Sequence, residues 1–335
     1  MEKFCLKNIY SHLGDERSRF LFEKRLCYSL TNDLSRMVYT INNRLINPLH
    51  DIKENLFIFG AGACGHSIVN ASPEIHWRAF IDNDVTKIGK QDILPIISFQ
   101  EFIETSKNAV VLISSSLYCD EMKQQLIDNG FSGDFITFWG TQYFDRAYFK
   151  PQKNEFFIDA GGFDGLSTKC FFKWLLDYKI DGKSVVFEPN PILYDECKKK
   201  LKDYDNVKIV NKGLWHKKEM LKFRKVEGEG SHIDPEGEEI IEVTSLDEYL
   251  KYEKEPVTFI KMDIEGAELN ALKGAEQTIK KYKPKLAICI YHKPEDVWEI
   301  PNLLLEFVPD YQFYIGHYSL GNTETVLYAL HNKNA

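Results

Sequence analysis

The stretch Phe156-Phe157-Ile158-Asp159-Ala160-Gly161-Gly162-Phe163-Asp164-Gly165, followed by Leu166-Ser167-Thr168, decides the fold. An apolar run ends on an acid, a glycine-rich turn follows, and polar residues open the next segment: strand, tight turn, helix start. The pattern is D-x-G-x-x-x-G. A carboxylate at the strand end repels pyrophosphate and welcomes an ammonium or a sulfonium. The glycines let a ligand lie on the backbone, and a helix N-terminus suits a carboxylate. A ligand that joins an amino acid to a nucleoside meets all three demands.

Working toward the C-terminus, the next strand ends at Phe187-Glu188-Pro189-Asn190-Pro191. Glu188 sits where a ribose diol is gripped by a carboxylate. Asn190 reads as an N-cap and Pro191 as a first helical residue. Farther on, Phe259-Ile260-Lys261-Met262 carries Asp263 to the end of another strand, and Leu286 to Ile290 leads into Tyr291-His292. Ligands of open α/β sheets bind beyond the C-terminal strand ends, so Asp263 and His292 point at one site. An unperturbed imidazole titrates near neutrality, which makes His292 a candidate general base beside Asp263. Glu265 and Glu268 suit the dipole at the start of the following helix. Asp263 and Glu265 are hard oxygen donors, but the sequence shows no compact ligand cluster, so no metal is expected.

Strand candidates in this part are 156–159, 185–187, 207–210, 259–262, 286–290, 311–315 and 325–328, with helices filling the gaps up to Phe307. The last two are too closely spaced for a parallel crossover and are expected to pair antiparallel.

Toward the N-terminus the same grammar occurs once more. Leu56-Phe57-Ile58-Phe59 runs into Gly60-Ala61-Gly62-Ala63-Cys64-Gly65, and Ala79-Phe80-Ile81 ends at Asp82-Asn83-Asp84. Gly60, Gly62, Gly65 and Asp82 match the dinucleotide fingerprint: close backbone approach, a helix N-terminus on the phosphates, and an acid for the ribose. A nucleotide or nucleotide sugar is the ligand this loop would take. Val110 to Ile113 is a third strand, and a helix over 120–129 closes at Gly130. Residues 1–53 have helical spacing. Phe20, Leu21, Leu26, Leu30, Leu34, Val38, Ile41 and Leu45 form a stripe that ends at Asn47-Pro48, a candidate dimer face.

The expected architecture is therefore α/β: two tandem Rossmann-like, doubly wound domains at 54–145 and 150–335, behind a helical N-terminal segment at 1–53. The chain has 335 residues, with 42 Lys+Arg against 50 Asp+Glu and a net charge of −8. That balance argues against a dedicated nucleic-acid binder. No apolar run is long enough to span a bilayer, and Met1 to Cys5 does not read as a secretion signal. Seven scattered cysteines without a CxxC pair read as reduced thiols, so a cytoplasmic protein is expected.

Asp159-x-Gly161, Glu188-Pro189-Asn190, Thr244-Ser245-Leu246-Asp247 and Lys261-Met262-Asp263-Ile264-Glu265-Gly266-Ala267-Glu268 occur here in order. With Tyr291-His292 and His317-Tyr318 before Glu324-Thr325-Val326, they make residues 153 to 330 resemble the FkbM-type S-adenosylmethionine-dependent methyltransferases. Gly162 stands where a member often has alanine, and it is still small. The resemblance implies a class I seven-stranded methyltransferase sheet. It also implies O-methyl transfer to a sugar, a glycan or a secondary metabolite. S-adenosylmethionine contacts would fall on Asp159, Gly161, Gly165, Glu188 and Asp263, with 211–213 a weaker candidate. The Gly60 to Gly65 domain looks like Rossmann-type domains attached to sugar-modifying and glycan-assembly proteins. The rival readings are an oxidoreductase or epimerase linked to NAD(P) or a nucleotide sugar, and a non-catalytic binding module in polysaccharide assembly. The first domain has no Tyr-x-x-x-Lys to support hydride chemistry.

Overall fold

The computed structural model describes residues 6–37, 55–73, 75–90, 92–115, 118–137, 142–145, 147–226, 230–319 and 321–331. These form two compact units. One contains residues 1–30, 143–316 and 324–335; the other contains 31–142 and 317–323.

The chain opens with α1 (Leu6–Ser11) and α2 (Glu16–Thr31). Asp15 starts α2 by accepting the Ser18 N–H at 2.6 Å. The helix ends where Asn32 turns left-handed, at φ 55°. The expected stripe is therefore cut short. Leu30 and Leu34 lie on the surface, and the buried positions are Ser18, Leu21, Phe22 and Arg25. Val38, Ile41, Leu45 and the Asn47-Pro48 stop lie outside the described residues. Of that stripe, Leu21 joins the core of the C-terminal sheet with Ile9, Leu13 and Phe22, and Phe20 and Leu26 pack against it.

The unit containing 31–142 has β1 (Leu56–Phe59), α3 (Ala63–Ala71), β2 (Trp77–Asp82), β3 (Ile96–Ser98), α4 (Phe99–Thr105), β4 (Val110–Ile113), α5 (Cys119–Asp128) and β5 (Asp134–Thr137). Its five strands run in the order β3-β2-β1-β4-β5, every pair parallel. Strands β3 and β5 add to the three that the sequence pattern predicts. They are three and four residues long with partly exposed side chains, too short and too wet to stand out. Gly130, at φ 70°, closes α5 as its position implied.

The other unit continues with β6 (Glu155–Ala160), α6 (Leu166–Tyr178), β7 (Gly182–Phe187), α7 (Pro191–Lys200), β8 (Val207–Val210), β9 (Gly213–Leu214), β10 (Glu219–Arg224), β11 (His232–Ile233) and β12 (Glu239–Thr244). Then follow α8 (Leu246–Tyr249), β13 (Phe259–Met262), α9 (Glu268–Lys273), α10 (Glu276–Tyr282), β14 (Lys285–Cys289), α11 (Asp296–Phe307), β15 (Tyr311–His317) and β16 (Thr325–His331). Seven strands form one sheet in the order β15-β16-β14-β13-β6-β7-β8. The central pairs are parallel, and β16 runs antiparallel to β14. Strand order reverses between β6 and β13, so a crevice opens beyond their C-terminal ends. The middles of fully buried strands such as β6 and β14 read as short apolar runs, Phe156 to Ile158 and Leu286 to Cys289.

One expectation fails in this unit. Residues 213–244 are not helical but form a second sheet of four strands, β11-β10-β12-β9. Strand β10 alternates exposed and covered side chains, and its charges obscure the period-2 signal. Asp247, from the Thr244-Ser245-Leu246-Asp247 motif, serves local structure. Its carboxylate accepts the Gln277 and Thr278 N–H groups, each at 2.9 Å, at the start of α10. Among the described residues no helix is long and apolar enough to cross a membrane.

At the opposite, N-terminal edge of the large sheet, Glu155 on β6 pairs with Lys285 on β14, both at most 1% exposed. Thr258 donates its hydroxyl to the same carboxylate, and the Gln152 N–H adds a bond at 2.7 Å. Burial lowers the Lys285 pKa, against the pull of Glu155. Glu155→Ala strands a buried ammonium, so we expect a loss of about 3–5 kcal/mol in urea unfolding.

Candidate functional site

Four strand ends meet the crevice of the seven-stranded sheet. From β6, Asp159 leads into the glycine turn. Gly161 adopts φ 81°, and a Cβ there would lie 1.9 Å from the Asp263 carbonyl oxygen, so the turn presses directly against the end of β13. The Gly161 and Gly162 N–H groups both donate to the Phe187 carbonyl at 3.0 and 3.1 Å, tying the turn to β7. Phe163 is left-handed at φ 47°, a conformation that costs a non-glycine residue energy. Gly165, at φ 84°, opens α6.

Asp159 does not face the crevice as expected. It has no exposed surface, and its Oδ2 accepts hydroxyl bonds from Ser167 and Thr168. Its Oδ1 lies 3.1 Å from the Lys261 ammonium, which is itself 3% exposed. Lys261 also donates to the carbonyls of Ala160 at 3.1 Å and Gly161 at 2.5 Å. Burial works against the Lys261 charge, but Asp159 and Asp263 outweigh it and hold the ammonium above its ordinary pKa. The glycine turn therefore rests on a buried ion pair. The sequence motif includes Lys261 but gives it no role, since a lysine in a strand does not reveal a buried partner.

Glu188, at the end of β7, is 5% exposed. Its Oε2 accepts the Phe163 N–H and its Oε1 the Asn190 N–H, both at 2.9 Å. Each oxygen keeps a second lone pair for a ligand hydroxyl. Burial pushes its pKa up to about 7, against the pull of those two N–H groups. Asn190 caps α7 by accepting the Ile192 N–H at 3.0 Å, as its position implied. Asn211, in the weaker 211–213 candidate, pins the adjoining turn by donating to the Glu188 and Pro189 carbonyls.

The other half of the crevice is a polar cluster at the ends of β13 and β14. Asp263 accepts the Tyr143 hydroxyl at 2.6 Å and the Tyr291 hydroxyl at 3.2 Å. Burial would raise its pKa, but Lys261 and His292 hold it below the usual carboxylate value. His292 Nε2 lies 3.3 Å from Asp263 and 3.4 Å from Glu265, and Nδ1 lies 3.0 Å from Glu268. Burial disfavours the imidazolium, yet Glu268, Asp263 and Glu265 together push its pKa up to about 9. The surrounding carboxylates therefore favour positive charge at His292. Glu268 opens α9, as its position implied. It is also fully buried, reaching back to the Ile264 N–H at 2.8 Å and facing His292. Asp296 stands behind, its pKa raised to about 7 by burial and by the Glu268 charge.

In the other unit, Asp82 is engaged by its own loop. It accepts the Ala61 and Asp84 N–H groups at 2.8 Å and pairs with Lys87 at 3.0 Å. A Cβ on Gly65 would lie 2.2 Å from the Gly60 carbonyl oxygen, and one on Gly60, at φ 111°, would meet Ser114 at 2.6 Å. Both glycines thus serve close packing. Gly62 has open space at the start of α3.

Residues 159–315 match the family described as Methyltransferase FkbM domain. Among solved structures, the chain is 20% identical to an FkbM methyltransferase from Methylobacillus flagellatus KT, covering 85% of this chain and 92% of that one at a TM-score of 0.47. It is 16% identical to an rRNA methylase from Streptococcus thermophilus, covering 54% and 87% at a TM-score of 0.34. It is 10% identical to Aeropyrum pernix fibrillarin with natively bound S-adenosyl-L-methionine, covering 53% and 67% at a TM-score of 0.34. No curated protein matches the chain.

Gly161→Ala meets both a left-handed backbone and the Asp263 carbonyl. We expect a loss of more than about 2 kcal/mol in stability, measured by thermal or urea unfolding.

Proposed function

From the match of residues 159–315 to the methyltransferase FkbM domain, we propose that this protein transfers a methyl group from S-adenosylmethionine to a hydroxyl of a sugar, a glycan or a secondary metabolite. The observation that carries the reading is the switch-point crevice itself. There one glycine turn touches the β13 end through Gly161 and the β7 end through Phe163, bringing a diol-binding acid and a proton-handling cluster to the same edge.

The residues present suit the cofactor's adenosine half. Glu188 is buried, both of its oxygens are oriented by backbone N–H groups, and each retains acceptor capacity for a ribose hydroxyl. Asp159 and Lys261 act indirectly, setting the shape of the turn along which the ligand lies. Gly161 and Gly165 provide the close backbone approach. S-adenosylmethionine supplies, when bound, the methyl group on its sulfonium. The chain's own part is to hold the acceptor oxygen in line and to receive its proton. Asp263 is the ready acceptor because Lys261 and His292 hold its pKa below the usual carboxylate value, and His292 lies 3.3 Å beside it.

The acidic balance fits a small-molecule or glycan acceptor better than nucleic acid, and the scattered cysteines suit the reducing cytoplasm. A nucleotide sugar on the Gly62 side of the smaller sheet would have to compete with Lys87 for Asp82.

Isothermal titration tests the cofactor: the methyl donor should bind and NAD should not, and the reverse result replaces this reading with the oxidoreductase one. Ribose hydroxyls donate to an ionised Glu188, whose carboxyl in the free protein titrates near 7. Donor affinity should therefore weaken as pH falls through 7. Glu188→Gln should bind roughly 10–100-fold more weakly with a flat pH profile. Turnover with a hydroxyl acceptor should fall about 10²–10⁴-fold in His292→Ala and in Asp263→Asn, as followed by release of the demethylated cofactor. His292→Ala should keep its donor affinity.

A further inference from the structure

We propose that Asp263, Glu268 and His292, with Glu265 beside them, bind a divalent cation of the Mn²⁺ or Mg²⁺ class. One ligand atom from each of the first three lies within 4.8 Å of the other two. The contacts of His292 with Asp263, Glu265 and Glu268 are 3.0–3.4 Å long, yet neither ring nitrogen makes a bond of hydrogen-bond geometry among the described residues. Nε2 faces Asp263 and Glu265 while Nδ1 faces Glu268, so one ring nitrogen would ligate the ion and the other keep its carboxylate neighbour.

A second observation is independent of the clustering. Glu268 is fully buried, and its Oε2 has no hydrogen-bond partner among the described residues. An anionic oxygen without water or a donor is expensive to bury, and a bound cation removes that cost. The His292 side chain is only 8% exposed, so both of its nitrogens are held inside the same pocket. Lysines do not discharge the cluster. The Lys261 ammonium is committed to Asp159 and two carbonyls, and Lys293 donates to the Gly266 carbonyl. Carboxylates with a single imidazole suit Mn²⁺ or Mg²⁺ better than a thiolate-seeking ion.

Binding of the ion does not depend on the methyl-transfer reading. Its role, lowering the pKa of an acceptor hydroxyl at the end of β13, does rest on that reading. The test uses the full chain stripped with chelator and titrated with Mn²⁺ alone, with free Mn²⁺ read by electron paramagnetic resonance. One Mn²⁺ per chain is expected, and spin-echo modulation should show a directly bound imidazole nitrogen. His292→Ala and Asp263→Asn should each weaken binding at least about tenfold. Glu188→Gln, altered on the β7 side of the crevice, should bind Mn²⁺ like the native chain. No Mn²⁺ uptake, uptake without nitrogen coupling, or uptake unchanged in both variants overturns the proposal. The nitrogen coupling is read on the native protein, so a variant that fails to fold does not leave the question open. Methyl-donor binding without Mn²⁺ binding would sink the cation site and leave the methyl-transfer reading standing.

Discussion

The buried pair of Lys261 and Asp159 is the constraint on which the crevice depends. A carboxylate and an ammonium with almost no solvent contact survive only if each satisfies the other and the remaining donors find acceptors. Two hydroxyls from the start of α6 bond Asp159 Oδ2, Oδ1 lies 3.1 Å from the Lys261 ammonium, and two carbonyls of the glycine turn accept from Lys261. The pair therefore joins β13, β6 and α6 at one point and dictates the path of the turn above it. Gly161 must be glycine because that path runs against the Asp263 carbonyl.

The crevice has two chemically different sides as a result. On the β7 side, Glu188 is held by N–H donors while burial raises its pKa, a setting suited to hydroxyl groups. On the β14 side, carboxylates crowd one imidazole and raise its pKa against burial. Asp263 joins the His292 cluster to the Lys261–Asp159 pair. It feels Lys261 from below and His292 from beside, and it takes two tyrosine hydroxyls as well. A change at either network should reach the other through this residue.

Strands buried on both faces are legible in the sequence because a short apolar run between turn residues matches little except a covered strand. Strands β6, β13 and β14 all fall into this group. The small sheet of β9 to β12 is not legible, because an exposed strand rich in Lys and Glu shows no such run. Helix α2 misleads in another way. Its apolar residues suggest a longer stripe, but the left-handed Asn32 ends the helix and leaves Leu30 and Leu34 exposed. Motifs at strand ends mark where the site lies, since open α/β sheets put ligands there whatever the chemistry.

By itself, the sequence determined the α/β class, the two glycine turns and the positions of Glu188, Asp263 and His292 at strand ends, because each follows from local pattern and spacing. Only the tertiary structure decided what those groups can do. It buried Asp159 against Lys261, turned Glu268 inward, and moved His292 away from its ordinary pKa. Those outcomes depend on burial and on charges contributed by different strands, and neither is written in the order of residues along the chain.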